Sequence, residues 1–87
     1  MDYLSILWDD VDDPDGNVEH IAEHGLDIED VEHVLSEPSR ESHSQSSGLP
    51  VVWGYTPDGR YIFVVYEQID AHMIRVVTAY GVSEPGD

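Results

Sequence analysis

The chain has 87 residues, which is enough for one small domain and too few for two separate cores. It carries 19 acidic residues against three arginines and no lysine, so its formal net charge is -16. This charge repels phosphate backbones and therefore argues against a general nucleic-acid-binding protein. The sequence contains no cysteine, which excludes disulfides and thiolate metal sites.

The first half of the chain predicts a strand and two helices. A short strand is expected at Tyr3–Trp8, before an acidic run. Asp13, followed by proline, is a good helix start, and Gly25 is a typical stop for that helix. Asp27 predicts the cap of a second helix, which Pro38 ends. The start of the chain lacks the positive region of a signal peptide, so we expect a cytoplasmic protein.

The second half of the chain predicts a sheet. The serine-rich stretch 36–48 has no periodicity and is expected to be a flexible loop. Three strands are predicted after it, at Leu49–Tyr55, Arg60–Glu67 and Met73–Tyr80. The tail 81–87 is too short and broken for a helix. The order β-α-α-β-β-β predicts a single α+β domain over 1–87, with a helical hairpin packed on a small antiparallel sheet.

The predicted hairpin turns at TPDG, which has the proline and glycine that a type I turn prefers. If Tyr55 pairs with Arg60 across this turn, then Trp53 lies opposite Ile62. Both faces of the hairpin are then substantially apolar. One face must cover the helices, and the other is covered by something else or left as an exposed patch.

Arg60 follows the turn in a neighbourhood of aromatic residues. With Trp53 and Tyr55 it could form a platform that stacks a base of RNA or contacts a partner. The alternative, which the hairpin chemistry favours, is a cross-strand cation–π pair that caps the turn.

Arg75 is a charged residue in the middle of an otherwise apolar strand, so it must pair with a carboxylate or face solvent. Glu67 and Asp70 are near it in the sequence, and Asp9 is a candidate partner in space. A structural salt bridge and an active-site or partner-binding arginine both remain open.

His20 and His24 stand four residues apart on the first helix, a spacing that can hold zinc or nickel. The chain has no HExxH motif, and a helix rich in carboxylates produces such pairs by chance. The acidic run lacks the glycine and glutamate of an EF-hand loop. We therefore predict no metal site and no cofactor.

Several local patterns resemble the BrnT family, toxins of type II toxin–antitoxin pairs with a RelE-like fold. They are Trp8-Asp9, Asn17, His24-Gly25-Leu26 before the second helix, Gly54, Gly59-Arg60, and IRVVTA at 74–79. The resemblance implies the RelE-like fold, an mRNA-cleaving ribonuclease activity and an antitoxin partner. If this chain is an active ribonuclease, we expect it to use Arg60 and Arg75 with Asp9, Tyr80 or His24 as proton-transfer groups, a catalytic set unlike the family's.

The chain departs from the family where the family is basic. At three positions where the family has lysine or arginine, this chain has Glu23, Leu49 and Tyr80. Attack of a 2′-hydroxyl on phosphate needs a general base, a general acid and cations that stabilise the growing charge. These departures predict a ribonuclease activity that is weakened or lost.

Three functions are therefore carried forward. The first is a toxin-fold domain that acts by binding an antitoxin-like protein with a basic surface. The second is an active ribonuclease adapted to high salt, and the third is a structural homodimer. The acidity itself has two open interpretations, adaptation to a salty cytoplasm and attraction of a basic partner.

Overall fold

The computed structural model describes residues 5–84 of the chain. Its elements are β1 (Ser5–Leu7), α1 (Asn17–Glu23), α2 (Ile28–Ser36), β2 (Arg40–His43), β3 (Pro50–Tyr55), β4 (Tyr61–Gln68) and β5 (Met73–Gly81). The predicted α+β class, with a first strand and two helices ahead of the main sheet, is confirmed. Tyr3, where the first strand was expected to begin, and residues 85–87 of the predicted tail lie outside the described residues.

The strands form one mixed sheet in the order β1-β5-β4-β3-β2. β1 runs parallel to β5, and the other neighbours are antiparallel. The predicted antiparallel pairing is therefore found among β3, β4 and β5, and β1 adds a parallel edge that was not predicted. A parallel neighbour requires a long crossover, and the chain between β1 and the rest of the sheet supplies one in its two helices.

The predicted loop over 36–48 contains strand β2, which pairs with β3 along its whole length. All four residues of β2 are exposed, so no alternation of apolar and polar residues marks it in the sequence. An edge strand can be polar on both faces because backbone hydrogen bonds, not side chains, hold it.

The β3–β4 hairpin has the predicted turn but a different register. The Gly59 N–H donates to the Thr56 carbonyl at 2.9 Å, as in a type I turn, and Gly59 has φ 90°. This glycine adds one residue to the loop, so Thr56 faces Arg60. The observed pairs are Tyr55–Tyr61, Trp53–Phe63 and Val51–Val65. The predicted pairing of Tyr55 with Arg60 was wrong by one residue.

Local hydrogen bonds define the start of α2 and the end of α1, and the residues that form them are recognisable in the sequence. Asp27 and Asp30 form a reciprocal capping box at the start of α2. Gly25, with φ 79°, closes α1, and the next N–H, of Leu26, returns to the Ile21 carbonyl. The predicted helix start at Asp13 was wrong, because its side chain accepts from the Asp15 N–H in a separate turn.

The core lies between the helices and one face of the sheet. α1 packs on β5, and α2 packs on β3 and β4. The buried cluster consists of Ile21, Leu26, Val31, Val34, Leu35, Val52, Ile62, Val64, Tyr66, Ile74, Val76 and Ala79. Within residues 5–84 both helices thus cover the same face of the sheet. None of the helices in this range has the length and apolarity needed to cross a membrane.

Candidate functional site

Aromatic side chains are concentrated on the sheet face opposite the helices, which we call the open face. Side chains alternate along a strand, so Trp53 and Phe63, the sequence neighbours of core residues Val52 and Ile62, point to this second face. Phe63 lies at the centre, with ring centroids 5.1 Å from Trp53 and 5.2 Å from Tyr80. These separations are typical of interacting rings.

The rings continue past the edge of the sheet into α1. Tyr80 lies 5.9 Å from His24, and His24 lies 5.4 Å from His20. We call these five rings, from Trp53 through Phe63, Tyr80 and His24 to His20, the aromatic row. His20 is fixed by a 2.7 Å hydrogen bond with the Thr78 hydroxyl. The row therefore crosses from the middle of the sheet to its free edge.

A second ring pair lies beside the row. Tyr55 and Tyr61 are cross-strand partners with centroids 4.9 Å apart. The Tyr55 hydroxyl donates to Glu84 at 3.4 Å. Partial burial and then the Glu84 carboxylate raise the pKa of Tyr55, because both disfavour a phenolate. Tyr55 is therefore an exposed, neutral phenol that extends the open face, with Tyr61 buried beside it.

Arg40 completes the open face and was missed by sequence reasoning. Its guanidinium carbon lies 4.7 Å from the Trp53 ring centroid, in a cation–π contact. The contact exists because β2 places Arg40 directly opposite Trp53. Recognising strand β2 in the sequence would have indicated this contact, but the serine-rich composition of 36–48 predicted a loop there.

Arg60, which was predicted to lie among the aromatic rings, points toward the helices instead. Its Nη1 donates to the Gly25 carbonyl at 2.7 Å, and its Nη2 donates to Asp30 at 2.9 Å. Its Nε contacts both carboxylate oxygens of Asp58 at 3.0 Å. Hydrogen bonds from Thr56 and Arg60 lower the pKa of Asp58.

The expected platform of Arg60 with Trp53 and Tyr55 is therefore not assembled. The one-residue change in hairpin register explains this, because it places Tyr61, not Arg60, opposite Tyr55. Among residues 5–84, the guanidinium found over Trp53 belongs to Arg40. Trp53 and Tyr55 themselves lie on the open face.

Arg75 forms an ion pair with Asp9, which was the carboxylate partner expected from a distant part of the sequence. The Arg75 Nη2 and Asp9 Oδ2 atoms are 2.7 Å apart, and Glu67 lies 3.9 Å from the other amino group. The backbone N–H of Asn17, followed by Arg75, holds the pKa of Asp9 below its usual range. The guanidinium is thus held between two carboxylates.

Asn17 organises this cluster, although the sequence gave it no chemical role. It is 3% exposed, and its Nδ2 donates to the carbonyls of Leu7 and Val76 at 3.1 and 3.0 Å. Its Oδ1 accepts from the Asp9 N–H at 2.8 Å, while its own N–H donates to the Asp9 carboxylate at 2.9 Å. One side chain therefore joins the end of β1 and the middle of β5 to the start of α1.

A family model described as "Domain of unknown function (DUF4258)" matches residues 18–81. The chain belongs to the DUF4258 family. Four of the five proposed catalytic residues lie inside the match, and Asp9 lies outside it. No curated protein sequence matches the chain.

Among solved structures, the DUF4258 chain is similar to the ribonuclease toxin BrnT of Brucella abortus. The two share 23% sequence identity with a TM-score of 0.67, over 93% of this chain and 99% of the toxin chain. A likeness at this identity establishes the fold. The BrnT-like fold that the sequence resemblance implied is confirmed.

The five proposed catalytic residues of this DUF4258 domain fall into two groups. Asp9 and Arg75 meet near the beginning of β5. Tyr80 and His24 meet near its end, about 16 Å further along the strand. His24 and Arg60 also line an open cleft of about 660 Å³ at that end. The structure does not bring the five residues together into one site.

The histidine pair also has a structural account. His20 and His24 contact each other edge to face, and their other neighbours are Thr78 and Tyr80. Within the part of the chain that the structure describes, no group of three or more histidine or acidic side chains is arranged to hold a metal ion. The open aromatic face is thus the main candidate for a binding function.

Proposed function

We propose that this chain is the toxin-fold member of a toxin–antitoxin-type pair and acts by binding a protein partner. The observation that carries the proposal is the open face, where aromatic rings lie on the sheet side without helical cover in residues 5–84. Tyr55 and Tyr80 are exposed on this face, and Trp53 and Phe63 are half-buried. Accessible aromatic surface of this kind marks a site of interaction with another protein. The net charge of -16 favours a partner with a basic surface.

We further propose that ribonuclease activity is weakened or lost. Arg60 is held by Asp58 and Asp30, and Arg75 is held by Asp9. A guanidinium already neutralised by carboxylates stabilises a phosphate transition state less well, because the phosphate must compete with them. Within residues 5–84 the third arginine, Arg40, lies over Trp53, away from both groups of proposed catalytic residues.

An active ribonuclease is the second candidate, and one observation favours it. His24 and Arg60 line the same cleft, and Tyr80 contacts His24 at its edge. These residues could supply a proton-transfer group and a cation within one concave site. The similar structure from Brucella abortus is that of a ribonuclease toxin.

RNA cleavage separates the two candidates. Purified protein is incubated with a mixed RNA substrate at low and at multimolar salt, beside Arg75→Ala and His24→Ala variants. We expect the wild type to cleave the RNA no faster than the two variants do, at either salt concentration. Cleavage that both variants retain would indicate a contaminating nuclease. Cleavage that disappears in either variant would establish the enzyme and refute the loss of activity.

The partner is tested by co-expression with the proteins encoded beside this gene, followed by light scattering of the purified species. We expect a 1:1 or 2:2 complex with one of them. A homodimer that binds neither neighbour would instead support a structural role. Growth arrest on expression of the chain alone, relieved by Arg75→Ala, would support the toxin candidate.

A further inference from the structure

The aromatic row already binds one guanidinium, that of Arg40 on Trp53. We infer that a second ring of the row, Tyr80, is a docking position for an arginine of the partner, whose guanidinium stacks on it. This inference rests on the proposed function, since it assigns the chemistry of the partner segment that the open face accepts. A flat, weakly hydrated guanidinium is the cation best suited to an aromatic surface.

Among the three sheet residues of the row, Tyr80 is the exposed one, since Trp53 and Phe63 are half-buried. Tyr80 is 37% exposed, whereas Trp53 is partly covered by Arg40. Phe63 and His24 flank the Tyr80 ring and hold it in place. A ring fixed in this way loses little side-chain entropy when a cation stacks on it.

Charge complementarity favours arginine over other occupants of this position. The cleft beside Tyr80 is lined by Glu84, by His24 and by Arg60, whose charge is paired with Asp58 and Asp30, and Glu23 is exposed at the end of α1. The arginines at positions 40, 60 and 75 already have partners within the chain. An incoming cation therefore meets unneutralised carboxylates, and no arginine of the chain competes for the ring.

The same charge disfavours the other ligand that stacks on aromatic rows, single-stranded nucleic acid. Its bases could stack on Tyr80 and Phe63, but its phosphates would approach a chain of net charge -16. An arginine-bearing protein segment gains from both the rings and the field. We therefore assign the surface to protein and treat nucleic acid as an outcome of the test.

The test compares two short peptides that alternate either arginine or lysine with alanine, so that they carry equal charge. Binding is measured by titration calorimetry at low and at multimolar salt. We expect the arginine peptide to bind more tightly than the lysine peptide by about two-fold and by at most about five-fold, because five-fold is the full worth of one exposed cation–π contact and a lysine retains part of it. High salt should weaken both peptides while their ratio persists, since screening acts on the shared charge.

Tyr80→Leu is the decisive variant, because leucine keeps apolar contact with Phe63 but removes the aromatic ring. We expect it to abolish the preference for arginine. Ile69→Ala is the matched control, since Ile69 is 46% exposed between β4 and β5 and lies outside the row. It should leave the preference unchanged.

Equal binding of the two peptides, a preference that survives Tyr80→Leu, or no binding of either peptide would overturn the inference. Tighter binding of an oligonucleotide than of the arginine peptide would also overturn it. Failure of the proposed function is recognised separately, by the absence of a complex with any neighbour-encoded protein. A complex that forms equally well with Tyr80→Leu would refute only the arginine site.

Discussion

At the scale of single residues, Asn17 connects β1, β5 and α1 through buried hydrogen bonds. It satisfies two strand carbonyls and the Asp9 N–H from a buried position. Asn17→Ala would leave these backbone groups without partners, and each buried unpaired group costs on the order of 1–3 kcal/mol. We expect a loss of about 3 kcal/mol in the free energy of unfolding, measured by urea denaturation.

Glu23→Gln is the control for this change, because Glu23 is exposed at the end of the same helix. It should alter the free energy of unfolding by less than about 0.5 kcal/mol. If Asn17→Ala has an equally small effect, then the bonds of Asn17 do not stabilise the junction of β1 and β5.

The Asp9 carboxylate predicts a specific dependence of stability on pH. Its folded-state pKa lies below the ordinary value of 3.8, chiefly because the Asn17 N–H and Arg75 favour the charged form. The unfolded chain therefore takes up the proton first as the pH falls. The stabilisation is present above pH 3.8 and is lost as the pH falls through the folded-state value.

Urea midpoints of the wild type and Asp9→Asn, measured from about pH 6 down to about pH 2, test this sign. The wild type should have the higher midpoint at pH 6, and the difference should shrink toward the acid end. Asp12→Asn removes an exposed carboxylate of the same loop and controls for net charge. A difference that stays constant with pH would contradict the role of Asp9.

At the scale of elements, β3 and α2 approach each other through a glycine. A Cβ atom at Gly54 would lie 3.0 Å from the Val34 Cγ1 atom and 3.6 Å from the Glu37 carbonyl. Val34 is fully buried and cannot move away easily. Gly54→Val should therefore lower the free energy of unfolding by about 2 kcal/mol or more, as overpacking of a core does.

Gly81→Val is the matched control for this close approach. A Cβ at Gly81, the last residue of β5, meets nothing within 4 Å. This variant should fold with nearly wild-type stability in thermal and urea unfolding. Equal losses for the two variants would show that glycine is needed for some reason other than the contact with α2.

At the scale of the whole molecule, the net charge of -16 sets how stability responds to salt. Repulsion among like charges destabilises the compact state, and salt screens it as the Debye length falls from about 10 Å at 0.1 M to about 3 Å at 1 M. We expect the thermal unfolding midpoint to rise over this range of sodium chloride. Light scattering at each salt concentration checks that the protein does not self-associate.

A charge-reduced variant identifies the cause of that rise. Asp10→Asn, Asp12→Asn, Glu29→Gln and Glu41→Gln together neutralise four exposed carboxylates. The midpoint of this variant should depend less steeply on salt than that of the wild type. An unchanged slope would mean that salt acts through hydrophobic burial instead of charge, and would weaken both interpretations of the acidity.

Local patterns alone determined much of this protein. The Asp27 cap of α2, the glycine that ends α1 and the turn at Thr56–Gly59 all form as predicted, because each depends on residues close in sequence. The resemblance to the BrnT family, made of such local patterns, also identified the fold correctly.

Only the tertiary structure decided the features that depend on pairing between distant segments. No local sequence pattern indicates three of these features: the parallel pairing of β1 with β5, the exposed strand β2, and the position of Arg40 over Trp53. Gly59, in the left-handed conformation, makes the β3–β4 register differ by one residue from the predicted one. As a result Arg60 points away from the aromatic rings and pairs with Asp30. Side-chain direction alternates with every residue of a strand, so an error of one position in the hairpin exchanges the two faces of the sheet.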